Sequence, residues 1–298
     1  MFEKIAWLYN PAAGLGQFPD NLDHIIDLCQ KVGLLPTFFR LSREIEDLDQ
    51  LFATYDFSEF HSLVVAGGDG TVHTVVNAMM RWGIKVPLAV YPVGTCNDFA
   101  NYLNIPSDFS EFIEMLVDGR CSPIDLGKIG DQFFINVASA GAITETAHEV
   151  DQGLKNAIGR TAYYLKGLEK MIKLRTFNME ISLDGEQQEV EILFFAVLNG
   201  TMAGGFRLLP TLEALSDDYL EVIAFKPKIL QSIIPLMLQL NREKSILDNP
   251  AVFYGRAKKI EIKLDQATPT DLDGEPGPPL PWKIEIVPQA LPVRLPIQ

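Results

Sequence analysis

Three features are scarce in this 298-residue chain, and each scarcity excludes a class of protein. The three cysteines, Cys29, Cys96 and Cys121, are odd in number and lack metal-ligand spacing, which predicts a reduced protein without a disulfide framework. The 25 basic residues stand against 39 acidic ones, and the formal net charge of −14 argues against nucleic acid as a partner. The longest apolar stretch, 229–240, is broken by Pro235 and is shorter than the ~20 residues of a membrane-spanning helix.

The amino-terminal residues lack the pattern of a secretory signal. Residues 1–9 read as a strand, with neither a basic start nor a long apolar core. We therefore expect a cytoplasmic protein whose contact with a membrane is peripheral. The sequence leaves the oligomeric state open, a homodimer included.

The segment 61–77 carries the clearest functional pattern. The apolar run Leu63–Ala66 precedes Gly67-Gly68-Asp69-Gly70-Thr71, and apolar residues then recur at helical spacing, which predicts a buried strand, a glycine turn and an amphipathic helix. Such a turn presents backbone N–H groups to an anion, and glycines let a phosphate approach the main chain. Asp69 would repel that phosphate unless a Mg²⁺ or a transferring proton lies between them. The segment predicts phosphoryl transfer; the alternative is a tight turn that binds nothing.

The first part of the chain alternates strands and helices, which predicts a parallel sheet with helices on both faces. Ligands of such sheets bind beyond the carboxyl ends of the strands, where this chain places three polar turns. The expected strands are Ile5–Tyr9, Thr37–Leu41, Leu63–Ala66 and Pro87–Tyr91, the expected helices are 22–32, Glu44–Ala53 and one from Thr71, and the turns are 10–14, 67–71 and 92–98.

The second part, from Ile124 onward, has short strands with hairpin signals, which predict a mostly antiparallel domain. We expect an α/β domain over 1–122, a β-rich domain over 123–287, and a tail over 288–298 that folds back on the first domain. The expected strands are Leu126–Ile129, Phe133–Val137, Phe177–Leu183, Val190–Leu198, Leu220–Phe225, Lys259–Leu264 and Lys283–Val287, with one helix over 160–174.

The ordered motifs of this chain resemble those of the diacylglycerol kinase catalytic family, which includes bacterial diacylglycerol kinases and related lipid and sphingosine kinases. The glycine turn alone is shared with NAD kinases and phosphofructokinases, so the ordered combination is what makes the resemblance specific. The motifs are Asn10-Pro11, 67–71, 92–100, Asp125-Leu126-Gly127, 134–137, 159–168, Asn199 with Gly204-Gly205, and 271–275.

The resemblance implies both a fold and a reaction. The fold is an N-terminal parallel-sheet nucleotide-binding domain, like that of NAD kinase and phosphofructokinase, followed by a mostly antiparallel β-sandwich. The reaction is the ATP- and Mg²⁺-dependent transfer of a γ-phosphoryl group to a lipid hydroxyl, with diacylglycerol as the expected acceptor and phosphatidic acid as the product. Such chemistry needs positioning, charge neutralisation and a proton acceptor.

The resemblance also implies roles for residues of the nucleotide site. Asp69 would act in catalysis and hold a metal ion or its water. The phosphate cradle would be Gly67, Gly68, Gly70 and Thr71, with Asn10 on the first turn and Thr95, Asn97 and Asp98 on the opposite wall. The last three have an alternative role as an Asx-type cap for the following helix.

Asp273 is the expected general base, by its match to the family's late Asp-Gly-Glu motif. Asp271 lies two residues earlier and is a partner or a competitor, and Glu275 would orient the base or a metal-bound water at the nucleotide site. The alternative is a simple hairpin turn, because Asp184-Gly185-Glu186 has the same letters. Asp217 falls where the family often holds a structural Mg²⁺, and a solvated loop is the alternative there.

Two departures and one charged segment bear on function. Thr74 replaces a usual glutamate, and Asp218 replaces a usual glycine, which puts the substrate in doubt more than nucleotide binding. Two alternatives therefore remain: a kinase that phosphorylates NAD or a sugar, and a regulator that has lost catalysis.

Residues 155–175 carry six basic side chains and one acidic one among apolar residues, so they predict either a peripheral membrane contact or a solvated helix packed on the core.

Overall fold

The computed structural model describes residues 2–14, 16–41, 45–141, 175–204, 206–209, 217–232, 247 and 249–297. The chain divides into two compact units. Unit 1 contains residues 1–126 together with 287–298, and unit 2 contains residues 127–286. The helix expected over 160–174 and most of the apolar stretch 229–240 lie outside the described residues.

Unit 1 is built on a parallel sheet, as the alternating pattern predicts. Its strands have the order β2-β1-β3-β4, and a final strand, β18, lies beside β4 with Val293 paired in parallel to Leu88. Every residue of β3 is buried, because helices cover the faces of a parallel sheet. The strands are β1 (Glu3–Tyr9), β2 (Leu34–Arg40), β3 (Ser62–Gly67), β4 (Leu88–Pro92) and β18 (Trp282–Leu295).

Five helices connect the strands of unit 1. The long helix α3 ends where Gly83 takes a left-handed conformation with φ of 65°, and α5 begins at Asp108, whose carboxylate accepts the N–H groups of Ser110 and Glu111. The helices are α1 (Leu22–Lys31), α2 (Ile45–Thr54), α3 (Asp69–Trp82), α4 (Asp98–Tyr102) and α5 (Phe109–Asp118), with 3-10 turns at Phe18–Asn21 and Phe57–Glu59.

Unit 2 is mostly antiparallel. One sheet has the order β14-β13-β10-β7-β16-β17, another contains the neighbours β18-β15-β8-β9, and β5–β6 and β11–β12 form hairpins. The strands are β5 (Arg120–Ile129), β6 (Gln132–Phe134), β7 (Val137–Gly141), β8 (Phe177–Leu183), β9 (Glu186–Ile192), β10 (Phe194–Leu198), β11 (Met202–Ala203), β12 (Phe206–Arg207), β13 (Leu220–Phe225), β14 (Val252–Ala257), β15 (Lys259–Leu264), β16 (Thr270–Leu272) and β17 (Glu275–Pro276), with a 3-10 turn at Pro227–Ser232.

The core of unit 2 lies where alternate residues of its strands face inward. Phe195 on β10 and Trp282 on β18 meet edge to face, with ring centroids 5.7 Å apart, and both are buried. Alternate residues Ile260 and Ile262 of β15 join the same apolar cluster, while the residues between them are exposed. The alternation of apolar and polar residues along the strand therefore gives the sheet one buried apolar face.

The structure divides two expected strands, and the one expected over Phe133–Val137 is the end of β6 and the start of β7. The strand expected over Val190–Leu198 is two strands, because β9 ends at Ile192 to pair with β8, whereas β10 starts at Phe194 and pairs with β7 and β13. The expected tail over 288–298 is mainly strand, because β18 continues to Leu295. Its residue Gln289 donates its N–H to Asp125, a buried carboxylate of β5, within unit 1.

No helix in the described part of the chain is both long and apolar enough to cross a membrane.

Candidate active site

Three turns of unit 1 meet beyond the carboxyl ends of β1, β3 and β4. A Cβ added to Gly94, after β4, would lie 2.5 Å from the Cα of Gly68, after β3. A Cβ on Gly14, after β1, would lie 2.2 Å from the carbonyl oxygen of Val93. The main chains of the three turns touch because these positions carry no side chain, and their meeting point is where open α/β sheets bind ligands.

The segment 67–71 forms a tighter element than a separate glycine turn. Strand β3 ends at Gly67, Gly68 is the N-cap, and α3 begins at Asp69. The first intrahelical bond runs from the N–H of Val72 to the carbonyl of Gly68, so the preceding amides belong to the unsatisfied first turn. A helix start of this kind attracts anions.

The first turn of the chain is tied to this helix by a side-chain contact. Asn10 donates from Nδ2 to the Thr71 hydroxyl at 3.2 Å, and its Oδ1 accepts the N–H of Ala12 at 2.9 Å. A Cβ on Gly67 would lie 2.5 Å from the Cβ of Thr71, so glycine is required where the helix turns back over the strand. Asn10 therefore fixes the position of the Thr71 hydroxyl.

The carboxylate of Asp69 lies at the start of two helices. Asp69 is the first residue of α3, and its Oδ1 accepts the backbone N–H of Phe99, in the first turn of α4, at 3.4 Å. Next to Phe99, Asp98 is 7% exposed. Two positive helix ends favour a carboxylate at this point and orient it.

The loop after β4 folds on itself through Asn97. The side chain of Asn97 accepts the N–H of Gly94 and donates to its carbonyl, each at 2.8 Å, and its φ of 51° is left-handed. Among the described residues, this side chain makes no capping bond to α4, so the alternative role as an Asx-type cap is wrong for Asn97. Thr95 is exposed on the same loop. Asn97 shapes the loop that approaches Gly68.

Thr74, where the family usually has glutamate, turns its hydroxyl into its own helix. Its Oγ1 donates to the carbonyl of Gly70 at 2.9 Å, four residues earlier. This bond is the usual way in which a threonine within a helix satisfies its hydroxyl. Thr74 thus contacts a carbonyl of the segment 67–71 and supplies no negative charge there.

Asp273, the expected base, is anchored in unit 2 by three backbone amides. Its carboxylate accepts the N–H groups of Ile135 at 2.8 Å, Asn136 at 2.8 Å and Val137 at 2.9 Å, and Asp273 is 7% exposed. Successive amides that converge on one anion form a strong and directional cradle. The Asp273 side chain therefore joins the turn between β16 and β17 to the turn between β6 and β7.

The two Asp-Gly-Glu segments, at Asp184 and at Asp273, have the same turn geometry but differ in burial. Asp273-Gly274 has φ values of 53° and 94°, and Asp184-Gly185 has 49° and 98°, so both hairpins turn with two consecutive positive φ angles. Asp184 also accepts backbone amides, from Lys258 and Lys259, but it is exposed. Asp-Gly-Glu is a hairpin turn in both places, and only Asp273 is buried.

A buried polar cluster surrounds the turn held by Asp273. Asn199 is fully buried and donates from Nδ2 to the carbonyl of Ile135 at 2.8 Å, while its own N–H bonds to the carbonyl of Asn136. Asn136 is 3% exposed. The sequence analysis noted Asn136 and Asn199 only through the family resemblance, because a buried asparagine has no periodic signature.

The other carboxylates of the late motif are differently placed. Asp271 accepts the N–H of Gly274 at 2.9 Å, which closes the hairpin, and Glu275 is exposed on the strand after it. Asp271, Asp273 and Glu275 therefore belong to one hairpin of unit 2, whereas the expected phosphate-binding residues belong to unit 1. The structure brings each of these two sets together within its own unit.

Asp217, the expected structural metal ligand, is engaged by an arginine. Its Oδ2 lies 2.5 Å from Nη2 of Arg256, and its Oδ1 accepts the N–H of Tyr219 at 3.0 Å. Asp218 has a left-handed φ of 60°, which explains why a glycine is usual there. Sequence analysis missed Arg256 and the buried Glu221 beside it, although an acidic residue within the apolar strand Leu220–Phe225 was a usable signal.

Within the described residues, no three His, Cys, Asp or Glu side chains converge to hold a metal ion. Asp69 can still take part in binding Mg²⁺, because that ion typically reaches a kinase with the nucleotide and needs only one or two carboxylates. The donor set at Asp217 does not fit a Mg²⁺, since a guanidinium takes the place of one oxygen ligand. The basic segment 155–174 lies outside the described residues.

A groove of about 970 Å³ opens on unit 2, and none of the expected site residues lines it. It runs over the polar face of β8, β9 and β15, and among its lining residues are Glu180, Glu261, Lys263 and Pro278. The candidate nucleotide site is therefore the convergence of the three turns and not this groove.

Comparisons with known proteins agree with this geometry. The model of the diacylglycerol kinase catalytic domain matches residues 4–129, and that of the YegS C-terminal NAD kinase beta sandwich-like domain matches residues 136–295. The chain is 32% identical over 275 residues to a diacylglycerol kinase of Bacillus subtilis, covering 92% of this chain and 90% of that one. It is 32% identical over 286 residues to one of Staphylococcus carnosus, covering 94% and 91%.

A solved structure extends the likeness to the whole fold. A crystal structure of a diacylglycerol kinase from Bacillus anthracis superposes with a TM-score of 0.79 at 27% identity, covering 99% of this chain and 97% of that one. The three turns of unit 1 fall within the first matched region, and most of unit 2 falls within the second. The chain therefore belongs to the diacylglycerol kinase family of lipid kinases.

Proposed function

We propose that this kinase transfers the γ-phosphoryl group of ATP, in the presence of Mg²⁺, to the hydroxyl group of diacylglycerol and releases phosphatidic acid. The observation that carries the proposal is the position of Asp69, at the start of α3 and in contact with the N–H of Phe99 at the start of α4. A phosphate bound at such helix ends would meet backbone donors together with one carboxylate. Relatives named diacylglycerol kinase, at 32% identity, support the choice of acceptor.

The roles in unit 1 follow from the contacts of each residue. The amides of Gly68, Gly70 and Thr71 would bind phosphate oxygens, with the Thr71 hydroxyl oriented by Asn10. Asp69 would hold the Mg²⁺ of the nucleotide, directly or through water. Mg²⁺ would neutralise the negative charge that develops on the transferring group. The loop of Asn97, with Thr95 and Asp98, would border the nucleotide on the side of α4.

For the proton acceptor we keep Asp273, with Asp271 as the competing residue and Glu275 as an orienting carboxylate. A base must lie within hydrogen-bond reach of the attacking hydroxyl and keep an acceptor position for its proton. Asp273 offers a fixed orientation, because three amides hold it. The same contacts give it a structural role, so its assignment as base needs a test that separates chemistry from folding.

The lipid acceptor is proposed to reach the enzyme at a membrane surface. The segment 155–175 carries six basic residues in a chain of net charge −14, and such a segment binds anionic lipid surfaces when apolar residues accompany the charges. Binding to vesicles of anionic and of neutral lipid, compared at low and high salt, tests this part separately from turnover.

The decisive experiment is transfer of label from γ-labelled ATP, with Mg²⁺, to a panel of acceptors in mixed micelles. The panel contains diacylglycerol, monoacylglycerol, sphingosine, ceramide and undecaprenol, with NAD as a soluble control. Labelled phosphatidic acid supports the proposal, and Asp69→Asn should abolish it. Label in NAD would favour the small-molecule kinase, and ATP binding without any labelled product would favour the regulator, for which Thr74 is the main support.

A further inference from the structure

A charged cluster in unit 2 lies outside the proposed reaction chemistry. Strands β13 and β14 pair in antiparallel register, and this register places Glu221 directly opposite Arg256. Asp217 lies four residues before Glu221, in the loop that leads into β13. One guanidinium group of β14 is therefore positioned beside two carboxylates of another segment, the loop before β13 and the start of that strand.

The guanidinium of Arg256 is held on three sides. Its Nη2 lies 2.5 Å from Oδ2 of Asp217, and its Nε lies 3.3 Å from Oε1 of Glu221. Its Cζ lies 4.2 Å from the centroid of the Tyr219 ring. A planar cation that is stacked on a ring and paired with two carboxylates loses much of its freedom, and arginine suits this arrangement better than lysine.

When Glu221 is ionised, it needs a cation beside it. Its side chain is fully buried, and within the described residues neither of its carboxylate oxygens accepts a hydrogen bond. A buried carboxylate without compensation is costly, and removal of an ionic partner is more costly than the pair was worth. Arg256, at 3.3 Å, is the ionic partner in contact with it.

A divalent cation fits this cluster poorly. Mg²⁺ requires about six oxygen ligands at 2.0–2.1 Å in nearly octahedral geometry. Both oxygens of Asp217 already have donors, one in Arg256 and one in the N–H of Tyr219. A dication at Asp217 would also lie against the positive guanidinium, which repels it.

We propose that the guanidinium of Arg256 is the resident cation of the Asp217–Glu221 cluster, and that the loop entering β13 is held by this arginine in place of a structural divalent metal ion. The proposal differs from the expectation for Asp217, which treats this loop as a Mg²⁺ site. It concerns the stability of unit 2 and does not depend on which acceptor the kinase uses.

Thermal unfolding of the full chain at pH 8, without nucleotide or lipid, tests the proposal. Midpoints are compared in EDTA and in millimolar Mg²⁺ for the wild type, Asp217→Asn, Arg256→Met and a matched control, Lys283→Met. Lys283 pairs with Glu261 at 3.5 Å on the surface of the same unit, so its removal reports the cost of losing an exposed ion pair. Methionine keeps most of the apolar stem of arginine and lysine while removing the charge.

The expected result has two parts. Arg256→Met should lower the midpoint by about 4 °C or more, because Glu221 is left buried without its partner, and Lys283→Met should change it by about 1 °C or less. The change in midpoint caused by Mg²⁺ should be equal in the wild type and in Asp217→Asn, because Asp217 binds no Mg²⁺ while Arg256 is present.

Either part can overturn the proposal. A Mg²⁺-dependent stabilisation that is present in the wild type and lost in Asp217→Asn would make Asp217 a metal ligand despite Arg256. An Arg256→Met variant that unfolds at the wild-type midpoint would show that the guanidinium does not hold the loop. A failed kinase assay would not affect either outcome, because the unfolding experiment measures no turnover.

Discussion

The carboxylate of Asp69 and the backbone amide of Phe99, 30 residues apart in sequence, are joined by a hydrogen bond of 3.4 Å. This bond connects the start of α3 to the start of α4 and fixes the orientation of the carboxylate in the segment 67–71. The contact therefore has two consequences: it links the two helix starts of unit 1, and it positions a negative charge between them.

Asp69→Asn separates these consequences. Asparagine keeps an oxygen that accepts the N–H of Phe99, so the free energy of unfolding should change by less than about 1 kcal/mol. The negative charge is lost, and turnover should fall by about 100-fold or more, as expected when a charged group at the reacting centre is removed. Turnover with saturating ATP and acceptor, and thermal unfolding, measure the two effects.

The control for this variant is Asp108→Asn, also in unit 1. Asp108 caps α5 by accepting the N–H groups of Ser110 and Glu111, so it is a carboxylate at a helix start without a role in the proposed reaction. Its replacement should leave turnover unchanged. Wild-type turnover in Asp69→Asn would remove Asp69 from the reaction.

The close approach of Gly68 and Gly94 predicts the effect of a single methyl group. In Gly94→Ala, the new Cβ would lie 2.5 Å from the Cα of Gly68 and 2.8 Å from Oδ1 of Asn97, so the two turns must separate. We expect a loss of about 1–3 kcal/mol in stability and at least a ~10-fold loss of ATP affinity. Equilibrium binding of a fluorescent ATP analogue measures the affinity.

The matched control is Gly83→Ala at the end of α3. Gly83 has a φ of 65°, and its added Cβ meets no described atom within 4 Å, so this variant carries backbone strain without moving a neighbour. It should lose about 1 kcal/mol and keep its ATP affinity. If Gly94→Ala also kept wild-type affinity, the contact between the turns would not be needed for nucleotide binding.

The two Asp-Gly-Glu hairpins provide a test of Asp273. In Asp273→Asn, the amide NH₂ would face one of the three N–H donors that the carboxylate now accepts, so the variant should lose about 1–3 kcal/mol. Asp184→Asn should lose less than about 1 kcal/mol, because water reaches that exposed turn. Urea unfolding of the two variants measures the difference.

Activity adds the chemical part of this test. If Asp273 accepts the proton, turnover of Asp273→Asn should stay low even below the temperature at which the variant begins to unfold. A variant that regains wild-type turnover when stabilised by low temperature would assign Asp273 a positioning role. Asp271→Asn, measured in the same way, tests the competing residue.

The sequence predicted the local elements of the site better than its long-range contacts. The strand, turn and helix over 62–82 follow from apolar spacing and glycine, which act within a few residues. The donors to Asp273 lie 136–138 residues earlier in the chain, and Arg256 meets Glu221 only through the register of β13 and β14. Neither the donors to Asp273 nor the pairing of Arg256 with Glu221 has a local signal in the sequence, because strand register is decided by the packing of whole sheets.

The charge state of Glu221 predicts how stability changes with pH. Burial, reinforced by Asp217 and opposed by Arg256, raises the pKa of Glu221 from 4.5 to about 7. Between these two values the folded protein holds a proton that the unfolded chain releases, so the free energy of unfolding should fall as the pH rises from 4.5 to 7. The loss of stability is complete above the pKa of Glu221 in the folded protein and absent below its pKa in the unfolded chain.

Glu221→Gln should remove this dependence. At pH 4 the variant and the wild type should have similar stability, and at pH 8 the variant should be more stable by about 3 kcal/mol, because each pKa unit corresponds to ~1.4 kcal/mol. Urea unfolding at several pH values measures the difference, with the exposed Glu261→Gln as a control that should change stability by less than about 0.5 kcal/mol. Parallel pH profiles for Glu221→Gln and the wild type would show that Glu221 holds no extra proton in the fold, and that Arg256 alone balances its charge.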